Sequence, residues 1–432
     1  MKDYRNESLS HCPVHGYIPF VSPKGLPQGE VSEREIIDNP WVQRLRQIHQ
    51  LQTAWWVFPT AEHTRFQHVL GVMHLGSRAV EAFYDSLREV CPDCPSRAYV
   101  ETLVRMAGLL HDVGHGPFGH FLDDKFLKKY GLTHETLGSH IILQELAEPL
   151  RGVRRNPRGR LRDDERLDPE QITMLITRPR PEEDAHWPRW LLLLRSLFCG
   201  IYTIDNMDFV LRDAFMSGYN ARAFDLDRLL HYSFFTEAGL TIHDRGMGAL
   251  MSFMAMRAEL FRTIYFHRTV QAIDLMLADL FDDGGDLLFP GNPLEHLDEY
   301  RQFTEWSLLV DVSRWHASDE PRRRELGQRW RDLLDRKIAW QMVCERHLVY
   351  QERDSSGSSV FKSANLAEQA IRAELPAELR EAPLRVDIQH QTHRPLKLRA
   401  SAGMNFLYDT SQDRIRPLTD NQLFERLPVS YR

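Results

Sequence analysis

The run Gly-Leu-Leu-His-Asp-Val-Gly-His-Gly-Pro-Phe-Gly-His, from Gly108 to His120, constrains this chain more than any other stretch. His111 and Asp112 are adjacent and close an apolar run (Val104, Met106, Ala107, Leu109, Leu110) that reads as a buried helix. A buried imidazole beside a buried carboxylate is costly unless each has a partner, and a divalent cation partners both. The spacing predicts His115 one turn later, on the same helical face as His111. Gly114, Gly116 and Pro117 then stop the helix, which leaves His120 on an exit loop. Four ionisable groups crowding an apolar segment argue against a His-rich surface loop.

Two further segments extend the pattern. Upstream, His63-Thr-Arg-Phe-Gln-His68-Val-Leu-Gly opens a helix with apolar residues at Val69, Val72 and Met73. Downstream lies Ile201-Tyr-Thr-Ile-Asp205-Asn-Met-Asp208-Phe-Val-Leu-Arg212-Asp213, where Asp205 and Asp208 are three residues apart and can share a helical face. A His, then His-Asp, then a distant Asp along a helical chain resembles the HD phosphohydrolases. That resemblance implies one divalent metal gathered by His68, His111, Asp112 and Asp205. Two imidazoles with two carboxylates suit Mn, Fe, Ni, Zn or Mg, and the residue types do not choose among them.

The likeness narrows further. Arg44-Leu-Arg-Gln-Ile-His-Gln50-Leu51, Val57-Phe-Pro-Thr-Ala-Glu-His-Thr-Arg-Phe-Gln-His68, Thr133-His-Glu-Thr-Leu-Gly-Ser139 and Tyr265-Phe-His-Arg268 resemble the deoxynucleoside triphosphate (dNTP) triphosphohydrolases. The similarity covers roughly residues 12 to 285. The nearest subgroup is the one in which a SAM domain accompanies the HD domain in some members. Nothing here resembles a SAM domain, so the expectation is a bare catalytic module. The resemblance implies release of intact triphosphate and a deoxynucleoside, by attack of water on the α-phosphorus. The 5′-oxygen is a poor leaving group, so a general acid helps. By match to the family's second catalytic set, His120, Asp123 and His134 are its candidates. Arg65, His115, Arg257, His267 and Arg268 would offset phosphate charge. Gln50 with Asp213 would read the 3′-hydroxyl. Leu51 and Tyr265 would crowd the 2′ position and so reject ribose. Regulated members bind a guanine nucleotide between subunits through an Asp, a Gln and an Arg, matched here by Asp38, Gln43 and Arg46. A homo-oligomer, dimer or tetramer, is the corresponding expectation.

The chain also departs from that pattern. Asn206 replaces a phosphate-reaching lysine, Phe209 replaces a tyrosine, and Gln52-Thr-Ala54 replaces glycines. Two alternatives therefore stand beside the first reading. One is an HD phosphohydrolase acting on a monophosphate, cyclic or oligonucleotide. The other is a nucleotide-sensing protein with weak activity.

The rest of the chain is read from pattern and composition. The expected fold class is mainly α: an HD-domain helical core with a small α+β C-terminal appendage. The segments are an extension with a short strand and turn over 1–31, the catalytic core over 32–285, a helical continuation over 286–353 and the α+β region over 360–432. Met247 to Phe281 reads as one amphipathic helix, and residues 298–347 read as further helix. Asp354-Ser-Ser-Gly-Ser-Ser359 reads as a flexible break and Leu384-Arg-Val-Asp-Ile388 as strand. Seven arginines between residues 151 and 166 read as a solvated loop, and Cys91-Pro-Asp-Cys94 as a turn, since a structural zinc needs a second pair. A net charge of −7 argues against a protein that coats nucleic acid. Five scattered cysteines, no membrane-length apolar run and no apolar leader point to a soluble, cytoplasmic protein.

Overall fold

A 26-residue helix, Arg65–Val90, runs through the middle of the molecule. The computed structural model describes residues 4–178, 184–346, 349–350, 363–388, 391–392, 405–425 and 430–431. The helix starts where the Thr64 amide donates to the Gln67 side chain at 2.8 Å, and no proline interrupts it. Its buried side packs on the helix Arg97–Leu110, whose residues Tyr99 to Leu110 are all buried. Even its charged residues Glu101 and Arg105 are buried with the apolar ones, so the whole length from Tyr99 to Leu110 belongs to the core. Shorter helices surround this pair, among them His134–Gln144, Pro169–Ile176 and Ile204–Met216.

The chain divides into two compact units. The first comprises residues up to Gln341 together with the described residues 405–417. It begins with a hairpin of Glu7–Cys12 and Gly16–Val21. A four-stranded sheet joins the antiparallel pair Ser233–Thr236 and Gly239–His243 to Phe406–Asp409 and Arg414–Pro417, with Phe406–Asp409 parallel to Gly239–His243. The hairpin 406–417 thus returns to the helical unit as sheet strands. The second unit holds the helix Ala364–Glu374 and a small antiparallel sheet of Val349–Tyr350, Ser430–Tyr431 and Gln391–Thr392. The architecture is mainly α, with small sheets and an α+β C-terminal part. No helix among the described residues is long and apolar enough to cross a membrane.

Several local expectations are corrected. The amphipathic stretch from Met247 is two helices, Met247–Leu260 and Arg268–Leu288, separated by a π turn at Phe261–Tyr265. His267 caps the second helix, its Nδ1 accepting the Thr269 amide at 3.3 Å. Helix after residue 298 ends at Leu334 instead of running to 347. Leu384 to Ile388 has no regular structure, and the expected break at 354–359 lies outside the described residues.

The arginine-rich stretch is a structured hairpin, not a solvated loop, because acidic partners far along the chain meet it. Arg155 and Arg160 both pair with Glu30, while Arg158 reaches Glu81 at 2.7 Å. Cys91 and Cys94 do form a turn, with both thiols buried and free.

One buried ion pair fastens the N-terminal hairpin to the core. Glu33 and Arg105 are both fully buried and meet at 2.6 and 2.9 Å. Glu33 also accepts the Val21 amide at 3.0 Å, and Arg105 donates to the Pro19 carbonyl at 3.0 Å and the Ser77 hydroxyl at 2.7 Å. Removing one member of such a pair leaves the other charge buried and alone. Glu33→Ala should therefore lower stability by about 3–5 kcal/mol. Urea denaturation measures this, and an unshifted midpoint would remove the pair from the determinants of the fold.

Candidate active site

The site is built from the ends of three helices. His68 lies in the first turn of Arg65–Val90, and Asp205 in the first turn of Ile204–Met216. The helix Arg97–Leu110 stops at Leu110, so His111 and Asp112 sit on the turn that follows it. His115 reaches this pair from that turn, not from a shared helical face. His120 likewise opens a short helix, His120–Lys125, instead of lying on a loop.

The four expected metal residues converge. His68 Nε2 lies 3.1 Å from Asp205 Oδ1 and 3.9 Å from Asp112 Oδ2. His111 Nε2 lies 3.4 Å from Asp112 Oδ1 and 3.7 Å from Asp205 Oδ1. Proton positions follow from the far side of each ring. His111 Nδ1 faces the Gly108 carbonyl at 2.9 Å, which only accepts, so Nδ1 carries the proton. His68 Nδ1 faces Asp208 Oδ2 at 2.8 Å with the same result. Both Nε2 lone pairs then point at the two carboxylates. His111 Nε2 is buried without a hydrogen bond. Two imidazole lone pairs beside two carboxylates repel unless a proton or a cation lies between them, so these residues fit a divalent metal. Without a cation the protons supply that charge. Burial would lower His68, but hydrogen bonds to Asp205 and Asp208 carry it up to about 10. Burial would raise Asp205, yet His111 and His68 hold it below the usual carboxylate range.

A second cluster adjoins the first. His115, His120, Asp123 and His134 bring one ligand atom each within 4.8 Å of the others. His134 Nδ1 makes a short contact with Asp123, and His115 stacks on the His134 ring at 3.8 Å and 13°. His120 Nδ1 is 3.5 Å from Asp123, with its ring largely exposed. Burial would raise the Asp123 carboxyl, but His120 and His134 hold it well below its ordinary value. Burial and the Arg65 charge push the His115 imidazole well below its own. Asp112 touches both clusters, since its Oδ1 is 3.3 Å from His115 Nε2.

The remaining candidates fall around this core. Arg65 donates to Asp112 Oδ2 at 2.7 Å. Gly119 lets it do so: at φ +54° that residue lies where glycine is favoured, and a Cβ there would sit 2.2 Å from Arg65 Nη2. Asp213 accepts from Tyr265 Oη at 2.5 Å and faces His63 Nε2 at 2.7 Å. Gln50 Oε1 and Arg257 Nε are buried without hydrogen bonds, and Leu51 is buried. His267 is committed to helix capping and faces Phe58, whereas Arg268 is exposed. Gln43 accepts from Arg46 Nε at 2.8 Å, and Asp38 pairs separately with Arg34 at the surface.

Sequence reasoning missed the support behind His68. Asp208 is fully buried and accepts from Arg212 at 2.8 Å through both oxygens, while His15 Nε2 lies 2.6 Å from its Oδ1. The three-residue step from Asp205 to Asp208 was the signal available, and it puts one carboxylate on each nitrogen of His68. His15 carried none, being 193 residues away.

A family model described as HD domain matches residues 65–176. An uncharacterized protein of Bacillus subtilis, YwfO, is 26% identical over 68% of this chain and 69% of its own length. The human deoxynucleoside triphosphate triphosphohydrolase SAMHD1 is 26% identical over 97% of this chain and 68% of its own length. The crystal structure of a hypothetical protein from Aquifex aeolicus superposes with a TM-score of 0.67 at 21% identity, covering 98% of this chain and 95% of that one. That likeness speaks to the fold.

Gly71 tests the support of His68. A Cβ there would lie 1.9 Å from Asp208 Oδ1 and 2.3 Å from Arg212 Nη2. Gly71→Ala should displace Asp208 and weaken divalent-metal binding by roughly 10–100-fold, as for other partners behind a metal ligand. Metal titration of folded protein, with circular dichroism as the control, reads this out, and unchanged affinity would show that Asp208 does not tune His68.

Proposed function

This chain is an HD-domain protein similar to the deoxynucleoside triphosphate triphosphohydrolases, and from that premise we propose that it is a metal-dependent phosphohydrolase that cleaves dNTPs into deoxynucleoside and triphosphate. One observation carries the reading: Asp112 Oδ1 lies 3.4 Å from His111 Nε2 and 3.3 Å from His115 Nε2, while its Oδ2 lies 3.9 Å from His68 Nε2. A single carboxylate thereby joins the metal-type cluster to an imidazole–carboxylate cluster suited to proton transfer.

His68, His111, Asp112 and Asp205 would hold the cation. Bound there, a divalent metal supplies Lewis acidity beside the phosphoryl group. The protein's own residues supply the rest. Asp123 faces His134 Nδ1 and steadies its imidazolium, leaving Nε2 to protonate the departing 5′-oxygen. His120 is the exposed member of that set and the one nearest solvent. Arg65, held by Asp112, and Arg257, buried beside Asp205 and Tyr265, place positive charge where a polyphosphate would lie. Arg268, which is exposed, would extend that charge, whereas His115 is held neutral by burial and the Arg65 charge and His267 is engaged as a helix cap. Tyr265 and Leu51 form the wall against a ribose 2′-hydroxyl, and Gln50 offers an unpaired oxygen to the sugar.

Asp213 favours a second reading to be tested alongside. Its carboxylate is already shared between His63 and Tyr265, so it has less to give a 3′-hydroxyl. A nucleotide other than a dNTP then fits better. Purified protein incubated with Mn or Mg and each dNTP, and in parallel with mononucleotide, cyclic-nucleotide and oligonucleotide substrates, separates the two, since inorganic triphosphate from a dNTP supports the first reading and turnover of the other substrates without it supports the second. His111→Ala and Asp205→Ala should each lose bound metal and turnover together; full metal occupancy in Asp205→Ala would take that residue out of the shell. Leu51→Gly should admit ribonucleotides, losing about 1–3 kcal/mol of sugar discrimination. Wild-type hydrolysis of ATP as fast as dATP would refute the wall.

Regulation by a guanine nucleotide belongs to the same proposal. Asp38 would accept from the base, and Gln43 and Arg46, already paired, would turn to the nucleotide at a subunit boundary. Linkage then requires tighter effector binding to the active oligomer. GTP should raise dATP turnover and solution mass, and Asp38→Ala should remove both effects while metal binding persists. Equal turnover at one unchanged mass would leave these residues a surface feature. The free cysteines fit a reducing, cytoplasmic compartment.

A further inference from the structure

Gln52 occupies backbone that glycine would fill at no cost. Its φ is +50°, in the left-handed region, and only Phe118, Arg336 and Asp413 share such a φ among the described non-glycine residues. A side chain kept on such a backbone calls for a reason. Here the side chain is used: Gln52 Oε1 accepts the Phe121 amide at 3.0 Å, across 69 residues of chain. The helix His120–Lys125 begins after Gly119 and has no side-chain cap of its own. The Phe121 amide also reaches the Phe118 carbonyl at 3.1 Å, so Gln52 supplies a second, long-range acceptor to the first turn of that helix. That helix carries His120 and Asp123.

The same turn is bolted elsewhere. Thr53 Oγ1 donates to Asp274 at 2.5 Å. Glu305, fully buried, accepts the amides of His49 at 3.1 Å and Phe118 at 3.0 Å through one oxygen and contacts His49 Nδ1 at 2.5 Å through the other. Trp55 stacks on the His49 ring at 4.3 Å. Residues 49 to 55 are thus a braced turn. Gln50 and Leu51 belong to it, and among the described residues its hydrogen bond to the His120 helix is the one from the Phe121 amide to Gln52 Oε1.

We propose that Gln52 is a specificity-setting positioning residue, whose side chain fixes the separation between the sugar-facing turn Gln50–Leu51 and the helix bearing His120 and Asp123. A substrate seated against Leu51 then meets the proton-transfer cluster in register, and one displaced by a 2′-hydroxyl does not. This inference rests on the dNTP reading of the site.

Three variants test it. Gln52→Gly relaxes the backbone and removes the clasp. Gln52→Ala removes the clasp and keeps the strained backbone. Gln52→Glu keeps an acceptor, now anionic, at a helix N-terminus that favours negative charge. Hydrogen exchange at the Phe121 amide should accelerate in the glycine and alanine variants and return toward wild type in the glutamate variant. The ratio of kcat/KM for dATP over ATP should fall about tenfold in the first two and recover in the third, a size typical of small packing differences at a substrate. The melting temperature of Gln52→Gly should not fall, which separates positioning from loss of fold. An unchanged Phe121 exchange rate, or an unchanged dATP/ATP ratio, in Gln52→Gly would overturn the inference. A wild-type protein that releases no triphosphate from any dNTP would instead overturn the functional reading, while the exchange experiment would still report on the clasp.

Discussion

The His68 imidazole, held between two carboxylates, is the contact on which the rest of the site depends. Asp205 takes its Nε2 side and Asp208 its Nδ1 side, and the two acids come from successive positions on one face of a single helix. Only Asp205 faces the cluster. Asp208 faces away, toward Arg212 and His15, and so fixes the tautomer that leaves Nε2 a lone pair. The N-terminal hairpin is drawn in by the same acid. Its position is secured a second time by Glu33 and Arg105. Gly71 completes the arrangement, because any side chain there would occupy the space of the Asp208 carboxylate.

Buried charge is handled in two different ways in this molecule. Away from the site much of it is paired: Glu33 with Arg105, Asp208 with Arg212, and Arg44 with the carbonyls of His115, Tyr300 and Phe303, although Glu101 Oε1 and His74 Nδ1 are buried without hydrogen bonds. Burying polar groups without partners is costly, so this is what a stable core requires. At the site several such atoms occur together. His111 Nε2, both His115 nitrogens, Asp123 Oδ1, Gln50 Oε1, Arg65 Nε and Arg257 Nε are buried without hydrogen bonds. Unsatisfied atoms among the ionisable groups of the two clusters suit a cation and an anionic ligand there.

Asp112 gives the two clusters a common member, and the braced loops around it give them a common frame. Phe118 and Gly119 adopt positive φ within four residues of His115. Glu305 and Gln52 hold that loop from two different parts of the chain. Strained backbone persists where its surroundings over-determine it, and here the over-determination comes from side-chain acceptors on backbone amides.

Local pattern was enough to read the helical class, the HD-type run from Gly108 to His120 and the pairing of Asp205 with Asp208, because helix periodicity and neighbouring charges are properties of consecutive residues. The break at Phe261–Tyr265 was not legible, since the apolar repeat continues across it and only His267 marks the new start. Nor was the arginine hairpin, whose acid Glu30 lies 125 residues from Arg155. The shape of the site followed the same division. The residue types that could bind a cation were plain in the chain, but which nitrogen faces it was decided by Asp208 and the Gly108 carbonyl. The reason is physical: a sequence displays the charges a chain must bury, and only the tertiary structure selects the distant partner that makes each burial affordable.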